Sequence, residues 1–220
     1  MSKKIIDIQS INHTFFYGYK AVENLSLSID KGEFIILAGK NGSGKTTLIR
    51  HLNGLLLPDS GKILVNGKDV SKNLIETRKT IGMVFQDADT QIVADTVFDE
   101  VAFGPENLKL KRCAINEKVC NVLEKLNLIH LKGKNPSTLS GGEKRKLAIA
   151  GTLVMNPEVI VFDEPFSNLD FPGMRQVLAT IIELNESGHT IIIATHDVET
   201  IIDRATRIII MDQGQIQEDG

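Results

Sequence analysis

Eight residues, Gly39-Lys40-Asn41-Gly42-Ser43-Gly44-Lys45-Thr46, carry the most legible chemistry in this chain. They fit G-x-x-x-x-G-K-[ST] and follow directly on the apolar run Phe34 to Ala38. Glycines let the backbone turn tightly and aim successive N–H groups inward, which makes a nest for anionic oxygens. A helical pattern from Lys45 to Asn53, stopped by Gly54, would turn the positive end of its dipole toward the same anion. On this pattern Lys45 is expected to reach the β- and γ-phosphates of a nucleotide and the Thr46 hydroxyl to bind Mg2+. Gly39, Asn41, Gly42, Ser43, Gly44 and Thr47 complete the expected cradle.

Two further segments bear on that chemistry. Val159 to Phe162 is apolar and ends in two adjacent carboxylates, Asp163 and Glu164. Acids at the carboxyl end of a strand stand where open α/β sheets bind ligands. Asp163 is expected to hold Mg2+, a hard cation that takes oxygen ligands. Glu164 is expected to act as the general base on the attacking water. Leu139-Ser140-Gly141-Gly142-Glu143 opens a helical pattern over Lys144 to Leu153 and offers a second set of free N–H groups for an anion. Ser140 also reads as an N-cap with Glu143 closing a capping box, and the two roles are compatible.

Elements able to hold these groups are visible in the apolar pattern. Residues 4 to about 35 alternate as strands, with Leu25 to Ile29 the clearest period-2 segment and Asp30-Lys31-Gly32 its turn. Short runs at Phe34–Ala38, Thr80–Phe85, Val159–Phe162, Thr190–Thr195 and Arg207–Met211 are β-branched without strict alternation, as in strands covered on both faces. Between Gln86 and Asn156 the pattern turns helical, and Ile115, Val119, Val122, Leu123 and Leu126 form one apolar stripe. This predicts a helical lobe inserted into a sheet domain.

Composition narrows the class. A content of 42% hydrophobic and 24% charged residues suits one globular domain with a sizeable core. The net charge of −3, without a dense Lys/Arg stripe, gives no reason to expect a nucleic-acid partner. No apolar run approaches the roughly 18 residues needed to span a bilayer, and the N-terminus lacks a signal-peptide core. Cys113 and Cys120, seven apart in a helical pattern, are expected to pack rather than to bind metal or pair, which fits a reducing cytoplasm.

Taken together, the phosphate loop, Gln86, L-S-G-G, Asp163-Glu164, Ser167-Asn168-Leu169-Asp170 and His196 occur in the order and spacing of an ABC-type ATPase, and the resemblance covers essentially the whole chain. It implies a phosphate-loop α/β fold over residues 1–220. A core with an N-terminal antiparallel β subdomain would span 4–86 and 157–220, and a helical signature lobe 87–156. It also implies a head-to-tail dimer with two ATPs held between the phosphate loop of one copy and the signature of the other. Ser140, Gly141 and Gly142 would then bind the ATP of the partner protomer. Gln86 would contribute to Mg2+ and sense a membrane partner, Asp170 would orient the dimer contact, and His196 would bond the γ-phosphate. The family stacks an aromatic ring on adenine; Phe15 lines up best, with Phe16 and Tyr17 as rivals. Glu143 stands where the family usually has Gln, and Phe166 where a small hydroxylic residue is frequent.

Gln86 to Gln91 and Val93 to Leu108, with Glu143 to Ala150, resemble the ATPase components of energy-coupling factor importers and of cobalt/nickel importers. That likeness implies a peripheral subunit on the cytoplasmic face of the cell membrane. It would power uptake of a vitamin or transition-metal ion through integral membrane subunits, as a homodimer or beside a sister ATPase. Val97, Val101 and Ala102 form a short apolar stripe beside Gln86 that either receives a helix of such a subunit or packs into the lobe. Many such ATPases carry a further C-terminal dimerisation segment, which is not expected in the few residues from Gly214 to Gly220; the chain is read as either a short form or a truncated one. The other reading is the ATPase of another ABC system, an exporter or a soluble cluster-assembly ATPase.

Overall fold

Phe34, Ile36 and Ala38 face one side of strand β3 (Phe34–Ala38), Ile35 and Leu37 face the other, and all five are buried. Such a strand needs cover on both faces, and the fold supplies it. The computed structural model describes residues 3–220; Met1, Ser2 and the side chain of Tyr17 lie outside the described residues.

The central sheet has six strands in the order β10-β9-β3-β8-β7-β6. They are β6 (Ile81–Val84), β7 (Val159–Asp163), β8 (Thr190–Thr195), β9 (Arg207–Asp212) and β10 (Gln215–Asp219) around β3. All neighbours run parallel except β10, which pairs antiparallel with β9. A second, antiparallel sheet has the order β2-β1-β4-β5, built from β1 (Lys4–Phe15), β2 (Tyr19–Asp30), β4 (Ser60–Val65) and β5 (Lys68–Asp69).

Two cores result. Ile35, Leu37, Val161 and Ile192 pack with Leu48, Ile49 and Leu52 of helix α1 (Lys45–Leu52) and with Ile6, Ile8, Leu25 and Leu27 of the antiparallel sheet. On the opposite face, Phe34, Ile36, Ile160, Phe162 and Ile193 meet the longer helices. These are α4 (Val97–Asn107), α5 (Arg112–Lys125), α6 (Gly141–Leu153) and α7 (Phe171–Glu186), and the short α2 (Leu74–Thr80) and α3 (Ala88–Gln91) complete the set.

The five apolar runs are strands, two of them with the expected bounds, and α1 ends at Leu52, where Gly54 takes φ 68° just beyond. Val97, Val101 and Ala102 are fully buried in the helical core, so this stripe packs into the lobe and receives no outside helix. Cys113 is exposed at the start of α5 instead of packed, because the buried stripe of that helix is Ile115, Val119 and Leu123. Helix α7 and strand β10 are findings that the sequence pattern did not supply. Gln215 to Asp219 lies largely exposed at a sheet edge and lacks a core-facing alternation.

Candidate functional site

Parallel register decides which residues meet. Ala38 pairs with Thr195, and Asp163 with Ala194, so β3, β7 and β8 end level at one sheet edge. The next residues in each chain segment are Gly39, Glu164 and His196. Three segments distant in sequence therefore open onto one cleft.

The loop after β3 is shaped by close approach. A Cβ at Gly39 would stand 2.3 Å from the Met211 carbonyl oxygen, and one at Gly44 2.5 Å from the Ala21 carbonyl oxygen. Gly44 also takes φ 103° as the N-cap of α1, a conformation that side chains rarely adopt. The Gly214 N–H donates to the Ser43 carbonyl (3.0 Å), and the Tyr19 hydroxyl donates to the Gly42 carbonyl (2.9 Å). The turn between β9 and β10 and the start of β2 thus hold the loop from outside.

Within the cleft, of about 310 Å3, lie Asn41, Gly42, Gly44, Lys45, Thr46, Thr47, Gln86, Glu164 and His196, with Tyr19 and Ala21 on the wall. Gly39 and Ser43 belong to the same loop without lining the cleft. Lys45 is buried, and its Nζ donates to the carbonyls of Gly39 (2.6 Å) and Lys40 (3.1 Å). Burial pulls its pKa below the ordinary lysine value, and the carboxylates of Glu164 and Asp163 oppose that pull.

Asp163 is also buried, and the Thr46 hydroxyl donates to its Oδ1 at 3.2 Å. Burial pushes its carboxyl above the usual range, against the Thr46 hydrogen bond. Glu164 adopts φ 45°. Its N–H donates to the Ala194 carbonyl, and its carboxylate is gripped by His196 Nδ1 on Oε1 (2.8 Å) and by the Thr195 hydroxyl on Oε2 (3.0 Å). A non-glycine residue in that backbone region stores strain that the surrounding bonds must hold.

Other predicted residues lie outside the cleft. Ser140, Gly141 and Gly142 begin α6 and do not line it. Ser140 caps the helix with Glu143 in a full capping box. Asp170 caps α7 by accepting from the Gly173 N–H at 2.9 Å. Phe15 does not line the cleft either; its ring and that of His13 form a T-shaped pair with centroids 4.7 Å apart, whereas Phe16 is 93% exposed. Tyr19 is the aromatic residue on the cleft wall. No spacing rule singled it out, because its place follows from the turn between β1 and β2.

The residues suit a triphosphate with Mg2+. Ser43 Oγ is buried without a partner beside the loop, and Thr46, Asp163 and Gln86 present a hydroxyl, a carboxylate and an amide, all oxygen donors. No cluster of three or more His, Cys, Asp or Glu able to hold a metal occurs among the described residues. No helix among them is long and apolar enough to cross a membrane.

This fold and cleft define a phosphate-loop ATPase. The chain belongs to the ABC transporter family, whose model matches residues 22–167, and is an ABC-type ATPase. It is 44% identical over 219 residues to "Energy-coupling factor transporter ATP-binding protein EcfA2" of Methanospirillum hungatei, covering 98% of this chain and 55% of that protein. It is 47% identical over 203 residues to "Energy-coupling factor transporter ATP-binding protein EcfA1" of Clostridium novyi, covering 91% and 72%. Among solved structures it resembles cbiO1 of Clostridium perfringens, described as part of the ABC transporter complex cbiONQ. That match has a TM-score of 0.91 and 36% identity over 99% of this chain and 88% of that one.

Proposed function

We propose that this chain is the ATP-hydrolysing subunit of an energy-coupling factor type importer, seated peripherally on the cytoplasmic face of the cell membrane. It drives uptake of a vitamin or a transition-metal ion such as cobalt or nickel through integral membrane subunits. The observation that carries this reading is the cleft that joins Lys45, Thr46, Glu164 and His196 while leaving the Ser140–Gly142 helix tip outside it. A site split in this way is completed by a second copy or a sister ATPase.

In this scheme the N–H groups of the loop and Lys45 bind the ATP phosphates. Thr46, Asp163 and Gln86 would hold Mg2+, which neutralises charge on the β- and γ-phosphates when bound. Glu164 takes the proton of the attacking water, oriented by Thr195 and His196. His196 also bonds the γ-phosphate. The tip formed by Ser140, Gly141 and Gly142 meets the ATP of the other protomer. Phe16, exposed on the turn after Phe15, stacks on adenine; the Phe15 ring is already in T-shaped contact with His13.

A groove of about 300 Å3 next to Gln86 suits the membrane partner. Leu55, Met83, Phe85, Met155 and Pro157 give it an apolar floor, with Asn53, Arg78 and Thr152 at hand. An amphipathic helix fits such a surface. Purification from native membranes tests the importer reading: integral membrane subunits should accompany the ATPase. Recovery of the chain wholly soluble and without them would reject it.

A further inference from the structure

The main chain at Gln86 is held by the signature helix. Arg145, in the second turn of α6, is 3% exposed. Its guanidinium donates to two consecutive carbonyls, Nη1 to Phe85 (2.5 Å) and Nη2 to Gln86 (2.6 Å). One residue before it, Lys144 Nζ pairs with Asp89 Oδ1 at 2.6 Å. Two turns later, the Thr152 hydroxyl donates to the Met83 carbonyl at 3.2 Å. Segment 83–89 is thus hung along one face of α6, and Arg145 is its only buried charged grip among the described residues.

A buried guanidinium is a costly way to fill that space. Burial depresses its pKa, with only the Asp87 charge opposing, and its Nε has no partner. It stays charged regardless, because an arginine does not deprotonate in proteins. An apolar side chain of similar volume would pack there without that penalty. What only the planar fork supplies is a two-pronged hold on adjacent carbonyls.

We propose that Arg145 is a positioning residue that locks Gln86 to the signature helix. The glutamine in a chain's own cleft and the Ser140–Gly142 tip offered to the other protomer then shift as one body. This rests on the roles proposed above for Gln86 and the tip. Arg145 touches no phosphate; it acts through Gln86.

The test is a double-mutant cycle on ATP hydrolysis, with Gln86→Ala, Arg145→Met and both together. Arg145→Met should lower kcat by about tenfold or more while KM for ATP stays within about threefold, because the phosphate loop sits on the other body. In the Gln86→Ala background the same change should add less than about twofold. Should Arg145→Met fail to fold, Arg145→Lys carries the same cycle: the charge remains, one carbonyl loses its donor, and a several-fold loss of kcat should vanish beside Gln86→Ala. A kcat for the Arg145 variants within about twofold of wild type, a KM that rises as far as kcat falls, or effects that multiply would overturn the latch. A wild-type rate for Gln86→Ala alone would instead remove the glutamine's role, so the two failures are told apart.

Discussion

Glu164 and His196 meet at 2.8 Å across the ends of adjacent parallel strands, Nδ1 against Oε1. The carboxylate oxygen accepts, so Nδ1 carries the proton of this bond. With the Thr195 hydroxyl on the other carboxylate oxygen, Glu164 is oriented at both oxygens. Strand register creates this relationship: Asp163 lies opposite Ala194, so the residues one and two steps further along have no other place to converge.

A base held in this way is needed for turnover and not for binding. Glu164→Gln should retain ATP affinity within about threefold and lose at least ~100-fold in kcat. Single-turnover hydrolysis alongside equilibrium nucleotide binding checks both halves. Undiminished turnover would remove Glu164 from its role.

The capping box at α6 titrates. Glu143 Oε2 accepts from the Ser140 N–H (2.7 Å) and the Ser140 hydroxyl (2.8 Å), and these bonds hold its carboxyl below the usual range, the backbone bond most strongly. Its folded pKa is therefore the lower one. The stability it contributes is complete above the unfolded value near 4.5 and is lost as pH falls through the folded pKa. Glu143→Ala should cost about 1 kcal/mol at neutral pH. Glu143→Gln keeps the box without a titrating group and should flatten the acid limb, as read from thermal melts between about pH 6 and pH 3.

Adenine stacking separates two neighbouring rings. Phe16→Ala should raise the Kd for ATP about tenfold or more, the worth of one base–aromatic stack, while Phe15→Ala changes it by less than about threefold. Calorimetric titration with ATP compares them, and the reverse order would return the platform to Phe15.

Leu55 tests the groove without touching the cleft. It is 46% exposed there and does not line the nucleotide cleft. Leu55→Glu should leave the hydrolysis of the isolated subunit within about twofold and abolish co-purification with membrane subunits. Retained assembly would place the partner elsewhere.

Much of this site is legible in the sequence for a physical reason. The phosphate loop, the carboxylates ending β7 and the serine-glycine helix start are local devices, each complete within a few residues. Strand β3 and strand β8 announce themselves because burial on both faces leaves no polar position between Phe34 and Ala38 or between Ile191 and Ala194. What stayed hidden depends on register or on distant partners. Tyr19 reaches Gly42 across 23 positions, and Arg145 reaches Phe85 across 60. The Val97–Ala102 stripe shows the limit from the other side: periodicity reports an apolar face, and only packing says what covers it.

The central claim is that ATP gripped by one copy is enclosed by the helix tip of another. Light scattering on Glu164→Gln protein with Mg-ATP measures this directly. The molar mass should double on adding ATP, and a further Ser140→Arg change should keep the protein monomeric while it still binds nucleotide. A chain that stays monomeric with ATP bound, or that dimerises equally well with Arg at position 140, would contradict it.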